Sequence, residues 1–396
     1  MKKNHFAILS AAVFFIFITL IFIRSNRNNI TLFNSDFNNK INNEFQNNQE
    51  AISSESTSLI ANDQLQQSPI QIIAQNLDIP WEIVWLPDDS MLVTQRGGTL
   101  LRISNDTRIE IEIDRVTHEG EGGLLGMTLH PNFSQEENSW LYLYFTAQQN
   151  DEYQNQVERY RFDLDTNSLT DREVVLSNIP GDRFHNGGRI AFGPDNKLYI
   201  ATGDIYDSST AQNLESLAGK ILRIEANGST PQDNPFNNLI YSYGHRNPQG
   251  LAWDSQGRMW SSEHGPSGYD EINLIIRGGN YGWPIVVGDE SRPELISPVI
   301  HSGVDETWAP SALEIIDDRL LFVGLRGSSL YSAIISDNNL INFERYFSQE
   351  FGRLRIVKYH SDYIYLATNN TDGRGSPQEG DDKIIKIHPS FFEQQL

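Results

Sequence analysis

Cysteine is absent from all 396 residues. That one absence excludes disulfides, thiolate nucleophiles, zinc–thiolate sites and a lipid-modified N-terminal cysteine. It does not choose a compartment, because a large β domain needs no staples. Basic charge is scarce as well: 30 Lys and Arg stand against 52 Asp and Glu, a formal net charge of -22. Nucleic acid wants a basic face, so it is excluded as a partner. Any arginine cluster in so acidic a chain therefore stands out. Long apolar runs number only one, from Phe6 to Ile23, with Lys2 and Lys3 before it and Arg24 and Arg27 after it. Roughly 18 residues nearly match the length of a bilayer crossing. Phe22-Ile23-Arg24-Ser25 is a poor cleavage site. The expectation is an uncleaved signal-anchor at 1–24 that joins the chain to a membrane and holds the rest outside the cytoplasm. If the segment is cleaved instead, the protein is secreted.

Helical periodicity is the last absence. From Ser25 to Ser68 the chain is rich in Asn, Gln and Ser and reads as a disordered tether. After Pro69, no segment has a 3.6-residue apolar period. A polar turn followed by an alternating strand recurs instead: LPDDSMLVTQ (86–95), ENSWLYLYFT (137–146), GPDNKLYIAT (193–202), WDSQGRMWSS (253–262), IDDRLLFVGL (316–325) and YHSDYIYLAT (359–368). Spacings of roughly 45 to 60 residues suit four-stranded repeat units. Six such units predict an all-β, six-bladed β-propeller over 69–396, with two stacked β-sandwiches as the alternative. Ile70–Ala74 and Lys383–Ile387 both read as strands. Pairing them would close the ring and remove an exposed edge.

Chemistry concentrates where Gly, Pro, charge and amides share loops. Tyr243 to Pro284 is one such stretch, and Arg183-Phe184-His185-Asn186-Gly187-Gly188-Arg189 is another. His185 is a candidate general base, since an imidazole titrates near neutral pH and nearby cations favour its neutral form. Arg246 and Asn247 could grip a carboxylate or carbonyl. Arg353 and Arg355 alternate, so both leave one face of a strand; on an inner strand they call for an anionic ligand. In Glu263-His264-Gly265-Pro266, close backbone approach at glycine and proline's lone carbonyl suit calcium. Asp270 and Glu271 are either direct ligands or ties within the loop. His264 lacks a helical i, i+4 partner for zinc. Asp381-Asp382 reads as a solvated turn, and the loop after Asn370 carries no usable motif.

These segments resemble the pyrroloquinoline-quinone-dependent glucose/sorbosone dehydrogenase family, especially its bacterial aldose sugar dehydrogenase branch. The resemblance runs through GEGGLLGMTLHPNF (120–133), HNGGRIAFGPDNKLYIATGD (185–204), LAGKILRIEANGSTPQDNPF (217–236), YSYGHRNPQGLAWD (241–254), EHGPSGYDEINLI (263–275), GGNYGWP (278–284), TWAPSAL (307–313) and GRLRIV (352–357). It implies a six-bladed propeller that oxidises the anomeric carbon of an aldose to the lactone. His185 would take the anomeric hydroxyl proton while hydride passes from C1 to the quinone. Gly265 and Pro266 would hold calcium through main-chain carbonyls, and calcium would polarise the accepting carbonyl. Arg246 and Asn247 would stabilise the charge that develops there. Arg353 and Arg355 would meet cofactor carboxylates. Glu121 falls at a polar cofactor contact, and Trp308 lies in a flanking segment. Arg326 stands near a cofactor-binding lysine of the soluble glucose enzymes. His264 replaces their glutamine, which points to the aldose branch. Electrons would leave through a quinone or cytochrome-like acceptor.

Two other readings compete. A non-catalytic extracellular propeller could bind carbohydrate or protein, but it would not need His185 together with Arg353 and Arg355. A calcium-dependent lactonase would want several side-chain carboxylates on the metal, which the Gly265-Pro266 loop supplies poorly.

Overall fold

A computed structural model describes residues 68–105, 107–134 and 137–393. The expected anchor (1–24) and the tether (25–68), Ser68 excepted, lie outside them. Among the described residues no helix is long and apolar enough to cross a membrane. The compact unit Pro69–Leu396 holds six antiparallel sheets of four strands. Numbered in chain order, the first blade is β2 to β5 (Pro80–Trp85, Met91–Gln95, Thr99–Ser104, Thr107–Glu112) and the second β6 to β9 (Leu124–Leu129, Trp140–Gln149, Glu152–Asp163, Ser168–Pro180). The third is β10 to β13 (Ile190–Phe192, Leu198–Thr202, Lys220–Ile224, Ile240–Tyr243) and the fourth β14 to β17 (Pro248–Trp253, Met259–Glu263, Glu271–Ile275, Ile300–His301). The fifth is β18 to β21 (Pro310–Ile316, Arg319–Gly324, Ser329–Ser336, Asn339–Tyr346). The sixth joins β22, β23 and β24 (Leu354–His360, Tyr363–Thr368, Ile384–Ile387) to β1 (Ile70–Ala74).

The first strand of each blade is innermost. β2 touches β6, and contacts continue through β10, β14, β18 and β22 back to β2. Two stacked sandwiches are thereby ruled out. Each repeated strand of the sequence is the second strand of a blade. Its alternation hides a double burial, because neighbouring blades cover both faces: β3, β11 and β15 are buried at every residue. Outer strands such as β5 alternate with solvent instead. The apolar core is accordingly split into six layers, one between each adjacent pair of blades. Leu92, Leu100, Leu141 and Leu143 fill one; Trp260, Leu320 and Phe322 fill another.

The ends of the ring meet as the strand pattern predicts. Ile70 pairs with Ile387, Gln71 with Lys386 and Ile72 with Ile385. The only helices among the described residues are single turns, α1 (Ser209–Gln212) and α2 (Ser390–Glu393).

Four charged side chains from different blades meet on the axis. Glu82, fully buried, is paired with Arg189 and lies 3.3 Å from Lys358 Nζ. Glu314 stands close to Glu82 and Lys358. Burial, and the negative charge of Glu82, push Glu314 from its ordinary 4.5 up to about 7, against the pull of Lys358 and Arg189. Between those values the folded chain binds more protons than the unfolded one, so stability falls as pH rises through that window. Glu314→Gln should stabilise the protein by about 1 kcal/mol at pH 8 and leave it unchanged at pH 4.5. Urea unfolding of both chains at both pH values checks this; an equal effect at both would refute it.

Candidate active site

In an antiparallel blade, the start of the first strand and the end of the second lie at the same end. Two sets of loops therefore converge on one mouth of the axis. Loops entering first strands bring Glu121, His185, Arg246, Asn247, Trp308 and Arg353. Loops leaving second strands bring Arg96, Asp204, His264, Gly265, Pro266, Arg326, Asp372 and Arg374. The repeated polar turns, which join first strands to second strands, mark the opposite end.

His185 is buried at this mouth with φ of 55°, in the left-handed region. Its carbonyl is packed so tightly that a Cβ on Gly203 would come within 1.9 Å of it, so only glycine fits there. The His185 amide donates to Glu121 Oε2 at 3.1 Å. Its Nδ1 lies 2.6 Å from Asp204 Oδ1, and Asp204 Oδ2 accepts the Trp283 indole N–H at 2.8 Å. With the Nδ1 proton held by Asp204, Nε2 is left as the basic nitrogen.

Around it lies a cationic cluster. Arg355 is buried with neutral partners: Gln249 Oε1 at 2.6 Å, Asn369 Oδ1 at 3.1 Å and Ser311 Oγ at 3.2 Å. Burial first, then the like charges of Arg96 and Arg353, pull it from its ordinary 12.5 to about 9, against Asp372 and Glu121. Arg353 reaches Asp372 at 2.8 Å, and Arg374 reaches Glu121 at 2.5 Å. Burial disfavours ionising Glu121, yet Arg374, His264 and the His185 amide outweigh it and hold the group at about 2. Four guanidiniums thus stand among three carboxylates, Glu121, Asp372 and, beside Arg96, Asp78. Arg353 Nε, Asn247 Nδ2, His264 Nε2 and Asn369 Nδ2 are buried with no partner. Orphaned donors beside excess positive charge fit a polar anionic ligand.

The third component is the 263–270 loop. Glu263 accepts from His245 Nδ1 at 2.8 Å and from the Arg246 amide. Arg246 Nη1 donates to the carbonyls of His264 (3.3 Å) and Gly265 (2.7 Å), so consecutive main-chain oxygens face the mouth and already hold a cationic group. A Cβ on Gly265 would lie 2.0 Å from the Gly268 carbonyl, which makes glycine obligatory. Pro266 is exposed at the turn. Asp270 ties the loop: Oδ1 takes the Gly265 amide, and Oδ2 takes Thr307 Oγ1 and the amides of Trp308 and Ala309. Burial pulls His264 down to about 4, despite Asp270 and Glu121, so its ring is neutral at physiological pH.

Residues 77–377 match the family model described as Glucose / Sorbosone dehydrogenase. The chain belongs to that family. It is 36% identical to the PQQ-bound aldose sugar dehydrogenase of Streptomyces coelicolor, covering 81% of this chain and 97% of that one with a TM-score of 0.76. Aldose sugar dehydrogenase YliI of Escherichia coli is 30% identical over 81% of this chain and 92% of its own length. Quinoprotein glucose dehydrogenase B of Acinetobacter calcoaceticus is 35% identical over 55% of this chain, and the match spans only 52% of that enzyme.

In this glucose/sorbosone dehydrogenase-family chain, several expected residues take other places. The Trp308 ring packs among Phe322, Tyr331 and Phe343 in the core of the fifth blade with its buried Nε1 unpartnered, while its amide donates to Asp270. Arg326 is exposed on the rim of a cavity of about 530 Å³ that Arg353, Arg374 and Lys383 also line. Asp382 is not a solvated turn. It is fully buried and braces the loop after Asn370, accepting from Thr368 Oγ1 at 3.0 Å, the Asn370 amide at 2.5 Å and Thr371 Oγ1 at 2.5 Å. That motif-free loop delivers Asp372 and Arg374. Sequence reading also passed over Asp204 and Arg96, which follow the second strands of their blades within two residues; a charged residue just past a repeated strand was the available signal.

Arg355 destabilises the ligand-free fold if its charge is uncompensated. Arg355→Gln keeps hydrogen-bonding capacity and removes the charge, so it should stabilise the cofactor-free protein by about 1–2 kcal/mol. Thermal unfolding without cofactor tests this, and a lowered midpoint would contradict it.

Proposed function

We propose that this oxidoreductase converts the anomeric carbon of an aldose to the lactone, with pyrroloquinoline quinone and calcium at the mouth of the propeller axis. One observation carries the reading: the His185–Asp204 pair shares one mouth with a buried Arg355 that has only neutral hydrogen-bond partners, with orphaned donors, and with Glu121, which takes the His185 amide and pairs with Arg374. A sugar alone needs no such charge. A planar tricarboxylate does.

The residues fit the cofactor by chemistry. Arg353 and Arg355 would hold its carboxylates, with Arg96 and Arg374 adding charge and Arg326 and Lys383 on the rim. Asn247 Nδ2 and His264 Nε2 would donate to its polar edge. The carbonyls of Gly265 and Pro266 would hold calcium, consistent with the inward turn of the Gly265 oxygen. When bound, the quinone supplies a two-electron acceptor for the C1 hydride, and calcium supplies Lewis acidity at the accepting carbonyl.

The chain's own work is then proton transfer and orientation. His185 Nε2 takes the anomeric hydroxyl proton as the C1–H bond breaks and the lactone C=O forms. Asp204 holds the imidazole in the accepting tautomer and stabilises its protonated form afterwards. Trp283 donates to the other oxygen of Asp204 and keeps that carboxylate aimed. Arg246 would supply positive charge toward the bound acceptor. Electrons would pass on to a quinone or cytochrome-like acceptor outside the cytoplasm, with the N-terminal segment as membrane tether.

The test is titration of cofactor-free protein with pyrroloquinoline quinone and calcium, followed by dye reduction with a panel of aldoses. Calcium-dependent binding and sugar-dependent reduction are expected; no binding would leave a carbohydrate- or protein-binding propeller. His185→Ala should lower turnover at least about a thousandfold with cofactor affinity intact. Arg353→Ala should weaken cofactor binding by about tenfold or more. Wild-type turnover in the first variant, or unchanged affinity in the second, removes the role assigned.

A further inference from the structure

Beside His185 stands an aromatic side chain that the proton and cofactor chemistry above does not use. Tyr206 is 68% exposed at the mouth of the axis. Its ring centroid lies 4.4 Å from the His185 ring and 5.6 Å from Phe184, and the Arg374 guanidinium sits 5.5 Å over Phe184. Tyr206 also lies near enough to Arg246 and Arg374 to act on both charges. It is therefore on the rim of the pocket, over the base.

The backbone that puts it there is strained. Ile205 and Tyr206 have φ of 51° and 62°, and a β-branched residue in that region is a genuine outlier. Hydrogen bonds hold the turn: the Ile205 amide donates to the His185 carbonyl at 3.3 Å, and the Tyr206 amide donates to Asp204 Oδ1 at 3.1 Å. That oxygen is the one that grips His185 Nδ1 at 2.6 Å. One carboxylate oxygen thus sets the position of both the base and the tyrosine. A strained turn that exposes a large aromatic ring beside the reacting nitrogen is a place to look for function.

We propose that Tyr206, with Phe184 beside it, is the platform on which the sugar ring stacks. The ligand class is an aldopyranose whose equatorial hydroxyls leave an uninterrupted C–H face for the aromatic ring. Stacking at a fixed offset from His185 delivers the anomeric hydroxyl to Nε2. This rests on the sugar-oxidising reading above and assigns how that substrate is held.

The experiment uses the full-length chain reconstituted with pyrroloquinoline quinone and calcium, comparing wild type with Tyr206→Phe and Tyr206→Ala on D-glucose. Tyr206→Ala should raise KM about tenfold while Tyr206→Phe stays within about twofold of wild type. In both, kcat, cofactor titration and the acid limb of the pH profile should hold. An unchanged KM in Tyr206→Ala overturns the proposal. Weakened cofactor titration would make the ring a cofactor contact instead, and a shifted acid limb at constant KM would make it a positioner of His185; either overturns the platform. Phe184→Ala, expected to raise KM by a smaller factor, guards against misfolding of the first variant. Wild type that binds cofactor but turns over no aldose sinks the sugar-oxidising reading and this proposal with it, a result distinct from failure of the Tyr206 variants alone.

Discussion

Strand β1 hydrogen-bonds to β24, and that pairing turns six separate sheets into a closed ring. Each blade covers an apolar face of the next, so no blade can shift without opening two layers of core. Closure also removes the exposed sheet edges that an open array would leave. The functional consequence is distance. Inner strands contact one another around the axis, so loops far apart in the chain meet within hydrogen-bonding range, as Glu121 and Arg374 do across 253 residues.

Along that axis the two regions differ in charge balance. On the inner strands, Glu82 and Glu314 are matched by Arg189 and Lys358, and burial is offset by pairing. At the mouth, Arg96, Arg353, Arg355 and Arg374 stand among fewer carboxylates, Glu121, Asp372 and, beside Arg96, Asp78. Excess charge held out of water costs stability unless a ligand neutralises it. Such an imbalance persists in a site built for an anion and is compensated elsewhere, here by the six apolar layers. In a chain with a net charge of -22, the local reversal of sign also focuses an anionic ligand on the mouth.

That His185, Arg246, Asn247, Arg353, Arg355 and Gly265 would stand out as candidates was legible because each sits in a local pattern: glycines that allow close approach, or alternation on an inner strand; the fold brings them to one mouth. Asp204 was less so. Its role comes from a contact across 19 residues with His185 and another across 79 with Trp283. Arg374 lies in a loop with no motif, and only the buried Asp382 brace explains why that loop returns to the site. Asp381-Asp382 itself read as solvent-facing, since paired carboxylates usually are; burial became affordable because Thr368, Asn370 and Thr371 donate to Asp382. Trp308 lies in a segment that reaches the mouth, and its ring joins the aromatic stack of the fifth blade, a contact no local pattern shows.

By itself the sequence determined the number of blades, the strand pairing that closes them and the residue types at the mouth. Those properties follow from short-range periodicity, turn chemistry and the scarcity of basic residues, all of which act within a few positions along the chain. Tertiary structure alone decided which carboxylate holds His185, which arginines are left without a counter-charge, and where Tyr206 stands over the base. Those depend on ring closure and on burial, which set distances and dielectric between blades and leave no mark in any local pattern.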